Sequence, residues 1–181
     1  MSCSVSSAYA LGCKPGVGGI SSLYIFSDAI TGITYSGSGD TQIVDTIAGT
    51  GSLVEFQLYR GGSNFTEAMA ADAASGTVVY TQTITALFRD FNKQLRNQFS
   101  LLAKNGHVQA IVKTNRGEYI LFGADFNGGD ATAINLASGT AYTDRQGYDV
   151  TIVALQANPA SFVDATGGLS SALSGITLVS A

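Results

Sequence analysis

Residues equipped for chemistry are few in this 181-residue chain, and their spacing assembles no reaction centre. His107 is the sole histidine and follows a helix stop at a helix–strand junction. A Ser/His/Asp triad would need it as the base, but no G-x-S-x-G elbow surrounds a serine. The expected state is a solvated or capping imidazole. Cys3 and Cys13 both lie near the N-terminus, and one histidine with two arm cysteines is poor material for zinc. Two cysteines also make no disulfide framework. The 13 Asp and Glu are spread thinly, with no pair at the spacing of two-carboxylate catalysis. Gly16-Val17-Gly18-Gly19 lacks the Gly-Lys-Ser/Thr of a phosphate loop. Asp125 to Asp130 superficially resembles a calcium loop without its alternating ligands and terminal Glu, so a turn is expected there. No catalytic, cofactor-binding or metal-binding residue is expected, and the chain reads as a building block rather than an enzyme.

Composition points the same way. Hydrophobic residues make up 45% and charged residues 12%, about half the usual charged share of roughly 25%. So little surface charge suggests that copies of the chain cover one another. The 22 glycines and 2 prolines suit a strand-rich fold with many turns. A net charge of −4 with scattered basic residues, apart from Arg89, Lys93 and Arg96, leaves no nucleic-acid footprint. No apolar run approaches the ~20 residues of a membrane span, so no membrane partner is expected. Ala10-Leu11-Gly12-Cys13 has the look of a lipoprotein box, but no basic or apolar run precedes it. Asn64-Phe65-Thr66 matches a glycosylation sequon and reads as chance.

The elements that would position any site follow from periodicity. Residues 1–19 read as an extended arm that a neighbouring subunit would order, 20–164 as one β domain, and 165–181 as a C-terminal tail. Short strands are expected at Ser22–Phe26 and Ile33–Tyr35, with a loop at 36–40. Ser52–Arg60 alternates, with Leu53, Glu55, Gln57 and Tyr59 on one side. Thr77–Phe88 alternates too: Val78, Tyr80, Ile84, Ala86 and Phe88 share a face with Gln82, and Thr81, Thr83 and Thr85 share the other. The two are expected to pair in an antiparallel sheet wet on one side. Between them, 61–76 reads as a long loop with a helical turn. Its Phe65 and Met69 either dock on another subunit or fold back on their own core. Asp90 is the expected N-cap of a helix whose buried stripe is Phe91, Leu95, Phe99 and Leu102. A hairpin follows, Val108–Lys113 and Glu118–Phe122, with Gly117 in its bulge position. Residues 123–146 read as a polar connection with a short strand at Thr140–Tyr142. Gly147–Leu155 is the last firm strand, and 176–179 is either an edge strand or a contact to a neighbour.

Three segments carry a resemblance: YTQTITALFRDFNKQLRNQFSLLAKN, then QAIVKTNRGEYILFG, then ASGTAYTDRQGYDVTIVALQANPASFVD. Their order over 52–163 resembles the tail tube (major tail) proteins of tailed bacteriophages, of the kind seen in phages of Bacteroidetes-type hosts. The resemblance implies a mainly β fold with one α-helix, an antiparallel β-sandwich or barrel flanked by that amphipathic helix. It further implies hexameric rings stacked into a virion tail tube, assembled in the host bacterial cytoplasm. The implied partners are the chain itself, other phage tail proteins, and genomic DNA passing unbound through the lumen. On that reading Glu55, Gln57, Thr81, Thr83 and Thr85 would line the lumen. A tail-completion or head–tail connector ring, a tube of a contractile injection device, and a capsid decoration or adhesion module are the alternatives.

Overall fold

A computed structural model describes residues 16–59, 61–125 and 128–181. The fold is mainly β with a single helix, in two sheets. The expected arm over 1–19, with Cys3 and Cys13, falls almost wholly outside the described residues, as does Arg60.

Nine strands form the first sheet, which curls into a half-barrel. They are β1 Ile20–Phe26, β2 Ile30–Ser36, β3 Ile43–Gly49, β4 Ser52–Gln57, β7 Ala110–Thr114, β8 Tyr119–Phe122, β11 Ser161–Val163, β12 Leu173–Ser174 and β13 Thr177–Val179. The path starts at β12 beside β3 and ends at β13 beside β4. Only Gly175 and Ile176 separate those two end strands, so one C-terminal segment bridges the two ends of the curl. It pairs in parallel with Ile47–Ala48 and then Ser52–Val54. Residues 165–181, expected as a tail, therefore complete the sheet. The concave side holds a core of Tyr24, Phe26, Val44, Ile47, Leu53, Ile111, Leu121 and Val163.

The second sheet has four strands in the order β5 Asn64–Asp72, β6 Thr77–Leu87, β10 Gly147–Gln156 and β9 Asp130–Ala137, all antiparallel. Its inner face gives Ile84, Ala86, Tyr148, Val150, Ile152 and Ala154 to a second core. Leu23, Ala110, Val112 and Phe122, from the outer wall of the half-barrel, meet them there. Helix α1, Lys93–Leu102, closes one side. Phe99 anchors it, with its ring centroid 4.9 Å from Phe88 and 5.0 Å from Tyr148.

Several expectations are corrected. Ser52–Arg60 and Thr77–Phe88 do not pair: β4 lies between β1 and β13, and β6 lies in the other sheet between β5 and β10. Alternation assigns each strand two faces but no neighbour. The expected 61–76 loop is mostly β5, whose nine residues run rung for rung against β6. The pairing overrides its alanine-rich local preference. β9 lies within the expected 123–146 connection, β3 lies where no element is expected, and residues 140–142 form a bend rather than a strand. Asp144 Oδ2 accepts from Thr140 and Ala141 N–H and ties that bend. The helix N-cap is Asn92, whose Oδ1 accepts from Leu95 N–H, while Asp90 accepts from Phe91 N–H. Phe91 therefore precedes the helix and is exposed, stacked on Tyr148.

Three buried glutamines join the sheets. Gln82 on β6 accepts from Gly123 N–H, Gln109 donates to Gly123 O, and Gln156 on β10 accepts from Asp125 N–H and donates to Gly128 O. Among the described residues no buried side-chain polar atom lacks a partner. Gln82→Leu would keep the volume and strand Gly123 N–H, at a cost of about 1–3 kcal/mol. Denaturant unfolding should show that loss, and a wild-type midpoint would mean that the network is dispensable.

Candidate assembly surface

The threonines expected in the lumen do share a face. Thr81, Thr83 and Thr85 project from β6 on the outer side of the four-stranded sheet, opposite the face carrying buried Gln82, Ile84 and Ala86. Thr83 stands beside Thr66 and Val153, and Thr85 beside Asn64 and Thr151. Glu55 and Gln57 are not with them: both lie on β4, in the half-barrel. Glu55 Oε1 accepts from the Tyr24 hydroxyl at 2.9 Å, and burial followed by this bond pushes the Tyr24 phenol up. Phe65 is half-buried against the core between the sheets, while Met69 is 62% exposed.

Among the described residues both edges of the four-stranded sheet lack a strand partner, β5 on one side and β9 on the other. Natural edges are usually blunted by lysine, proline or short length. These two strands of nine and eight residues contain neither residue type. Across β5, β6, β9 and β10 the charged side chains are Glu67, Asp72, Asp130 and Asp149, with no Lys or Arg. Asp149 is paired by Arg145 from the preceding bend. The threonine face carries Asp72, Asp130 and Asp149, with exposed Val79 and Leu155, while Glu67 lies on the other face against Gln82. β9 was legible only weakly, through Ile134 and Leu136 between the glycines at 128–129 and Gly139.

The β5–β6 hairpin reaches past the sheet. β10 ends at Gln156 opposite Tyr80, so Met69–Val79 continues as two strands with both sides exposed. Asp72 holds the tip: its carboxylate accepts from Ala74 N–H and from the Ser75 hydroxyl. These bonds lower its pKa, the Ala74 amide first.

Elsewhere a cleft of about 400 Å³ has Tyr35 and Phe162 exposed at its lining with Gln42 and Asn158. His107 is half-buried, and its backbone N–H donates to Asn105 Oδ1. The 125–130 turn is only partly described, because 126 and 127 lie outside the described residues. Among the described residues no three His, Cys, Asp or Glu side chains group to hold a metal, and no helix is long and apolar enough to cross a membrane.

The Asp72 turn gives a pH test with a definite sign. A depressed folded pKa contributes order that is present above the unfolded value, near 3.9, and lost as pH falls through the folded value. The Ala74 amide resonance should therefore titrate with a midpoint below the ordinary Asp range, and Asp72→Ala should abolish the transition. A midpoint at or above 3.9 would contradict this. No family model, curated protein or solved structure matches this chain.

Proposed function

We propose that this chain is a non-enzymatic structural subunit whose copies join into rings that stack as the tail tube of a phage virion. The observation that carries this reading is the four-stranded sheet with two unguarded edges. Its strands alternate in direction from β5 through β6 and β10 to β9. A copy turned about an axis along the strands would set its β5 beside the first copy's β9, antiparallel. Repeating that step is a heterologous contact, which closes into a ring when the rotation closes. Closure removes the edges that a lone sheet would expose to aggregation.

The resemblance supplies the tube and the virion, with other phage tail proteins as further partners, and the chemistry of the face agrees with it. Thr66, Thr81, Thr83, Thr85 and Thr151 with a few carboxylates would form the inner wall. A polyanion passes such a wall without cations to hold it. Glu55 and Gln57 drop out of this lining, because they belong to the other sheet. A decoration or adhesion module is the second reading, favoured by the cleft with Tyr35 and Phe162.

Negative-stain electron microscopy and light scattering across a concentration series test the proposal. Stacked rings or tubes with a central channel are expected. Thr66→Lys with Ala133→Lys would set ammonium groups on both edges and should abolish assembly while leaving the circular dichroism unchanged. A strictly monomeric or trimeric wild-type protein would instead support the decoration or adhesion reading.

A further inference from the structure

Among the exposed apolar surfaces of the described residues, two have opposite electrostatic character. The first is the outlying part of the β5–β6 hairpin. There the core-facing side of the sheet continues through Met69, Ala71 and Val78 beyond the end of β10, with Met69 62% and Val78 44% exposed. Residues 64–80 carry Glu67 and Asp72 and no Lys or Arg.

The second is a groove of about 250 Å³ between α1 and the outer wall of the half-barrel. Ile25, Val54 and Phe56 floor it, and Gln98, Leu101 and Leu102 form the helix wall. Leu101 is 63% exposed although it lies on a helix packed against the protein. Lys93, Asn97, Leu101 and Lys104 recur at i, i+4, i+8 and i+11, a row that is exposed throughout. The helix contains no acidic residue. Asp28 follows Ser27, which lines the groove, and is the nearby acid on the sheet side.

We propose that the hairpin of one copy docks in this α1 groove of another copy, with Met69 and Val78 on its apolar floor and Asp72 toward Lys104. Apolar patches of this kind on both surfaces call for cover. The acidic hairpin and the lysine row select each other. The inference rests on the self-assembly reading and adds a contact separate from the β5–β9 seam.

The test uses the full chain with Cys3→Ser and Cys13→Ser. Met69→Cys and Leu101→Cys are placed in separate preparations and mixed under mild oxidation. A disulfide-linked dimer is expected in the mixture and in neither preparation alone. Asp72→Lys and Lys104→Glu should each raise the concentration at which assembly begins by several-fold, and mixing the two should restore it. Asp72→Asn keeps Oδ1 for the turn, so it separates loss of charge from loss of the turn. Assembly without the 69–101 cross-link and indifferent to both charge changes would overturn the docking while leaving self-assembly standing. A chain that stays monomeric at every concentration would overturn both.

Discussion

The fold depends on how the chain crosses from one sheet to the other without leaving peptide groups unpaired. The crossing begins at Gly123, just past β8, and no strand neighbour is available to it there. Gln82, Gln109 and Gln156 reach in from three different places and supply the missing partners. A buried amide without a partner costs about as much as a whole hydrogen bond contributes, so the two sheets are held in one relation. Gln109 also accepts from Ile30 N–H, which links the same network to the β1–β2 corner. Glu67 completes it on the far side by accepting from Gln82 and from Ala160 N–H. The base of the exposed hairpin is therefore tied to the network that joins the cores.

The two sheets divide the work. The half-barrel shields its apolar interior by curling, and its ends are spanned by the C-terminal segment. The four-stranded sheet is covered on one face only, by the half-barrel and α1. Its other face is hydroxyl-rich and its edges carry no lysine. Such a sheet is stable in isolation only at the risk of pairing with whatever strand it meets. The low overall charge, 12% of residues, supports the proposed self-assembly.

Close backbone approach fixes the seam between β10 and the segment that leads from β6 to the helix. A Cβ on Gly147 would come within 1.9 Å of Phe88 O, so only glycine fits where β10 begins. From there Tyr148 C=O accepts from Phe88 N–H just past β6, and Phe88, Phe99 and Tyr148 form one aromatic cluster. The helix is held through Leu95, Phe99 and Leu102 on one side, and its opposite row of Lys93, Asn97, Leu101 and Lys104 stays exposed.

Sequence alone determined the elements whose patterns are strong. The alternation of Thr77–Phe88 and Gly147–Leu155, the Phe99/Leu102 stripe and the Asn-Arg-Gly turn each encode a local geometry with a preferred burial. It also carries the expectation that His107, the cysteines and the thinly spread carboxylates form no reaction centre. Tertiary structure decided which strands are neighbours. β4 and β6 have the same kind of alternation, and period two says nothing about the sheet a strand joins. β5 and β9 are rich in Ala, Asn and Asp, whose weak strand preferences yield to the hydrogen bonds offered by β6 and β10. The threonine face was readable in one strand, but its breadth and its separation from Glu55 and Gln57 exist only once four strands lie side by side. The reason is physical: local sequence sets backbone preference and burial, whereas long-range pairing is settled by the total of contacts that the whole chain can satisfy at once.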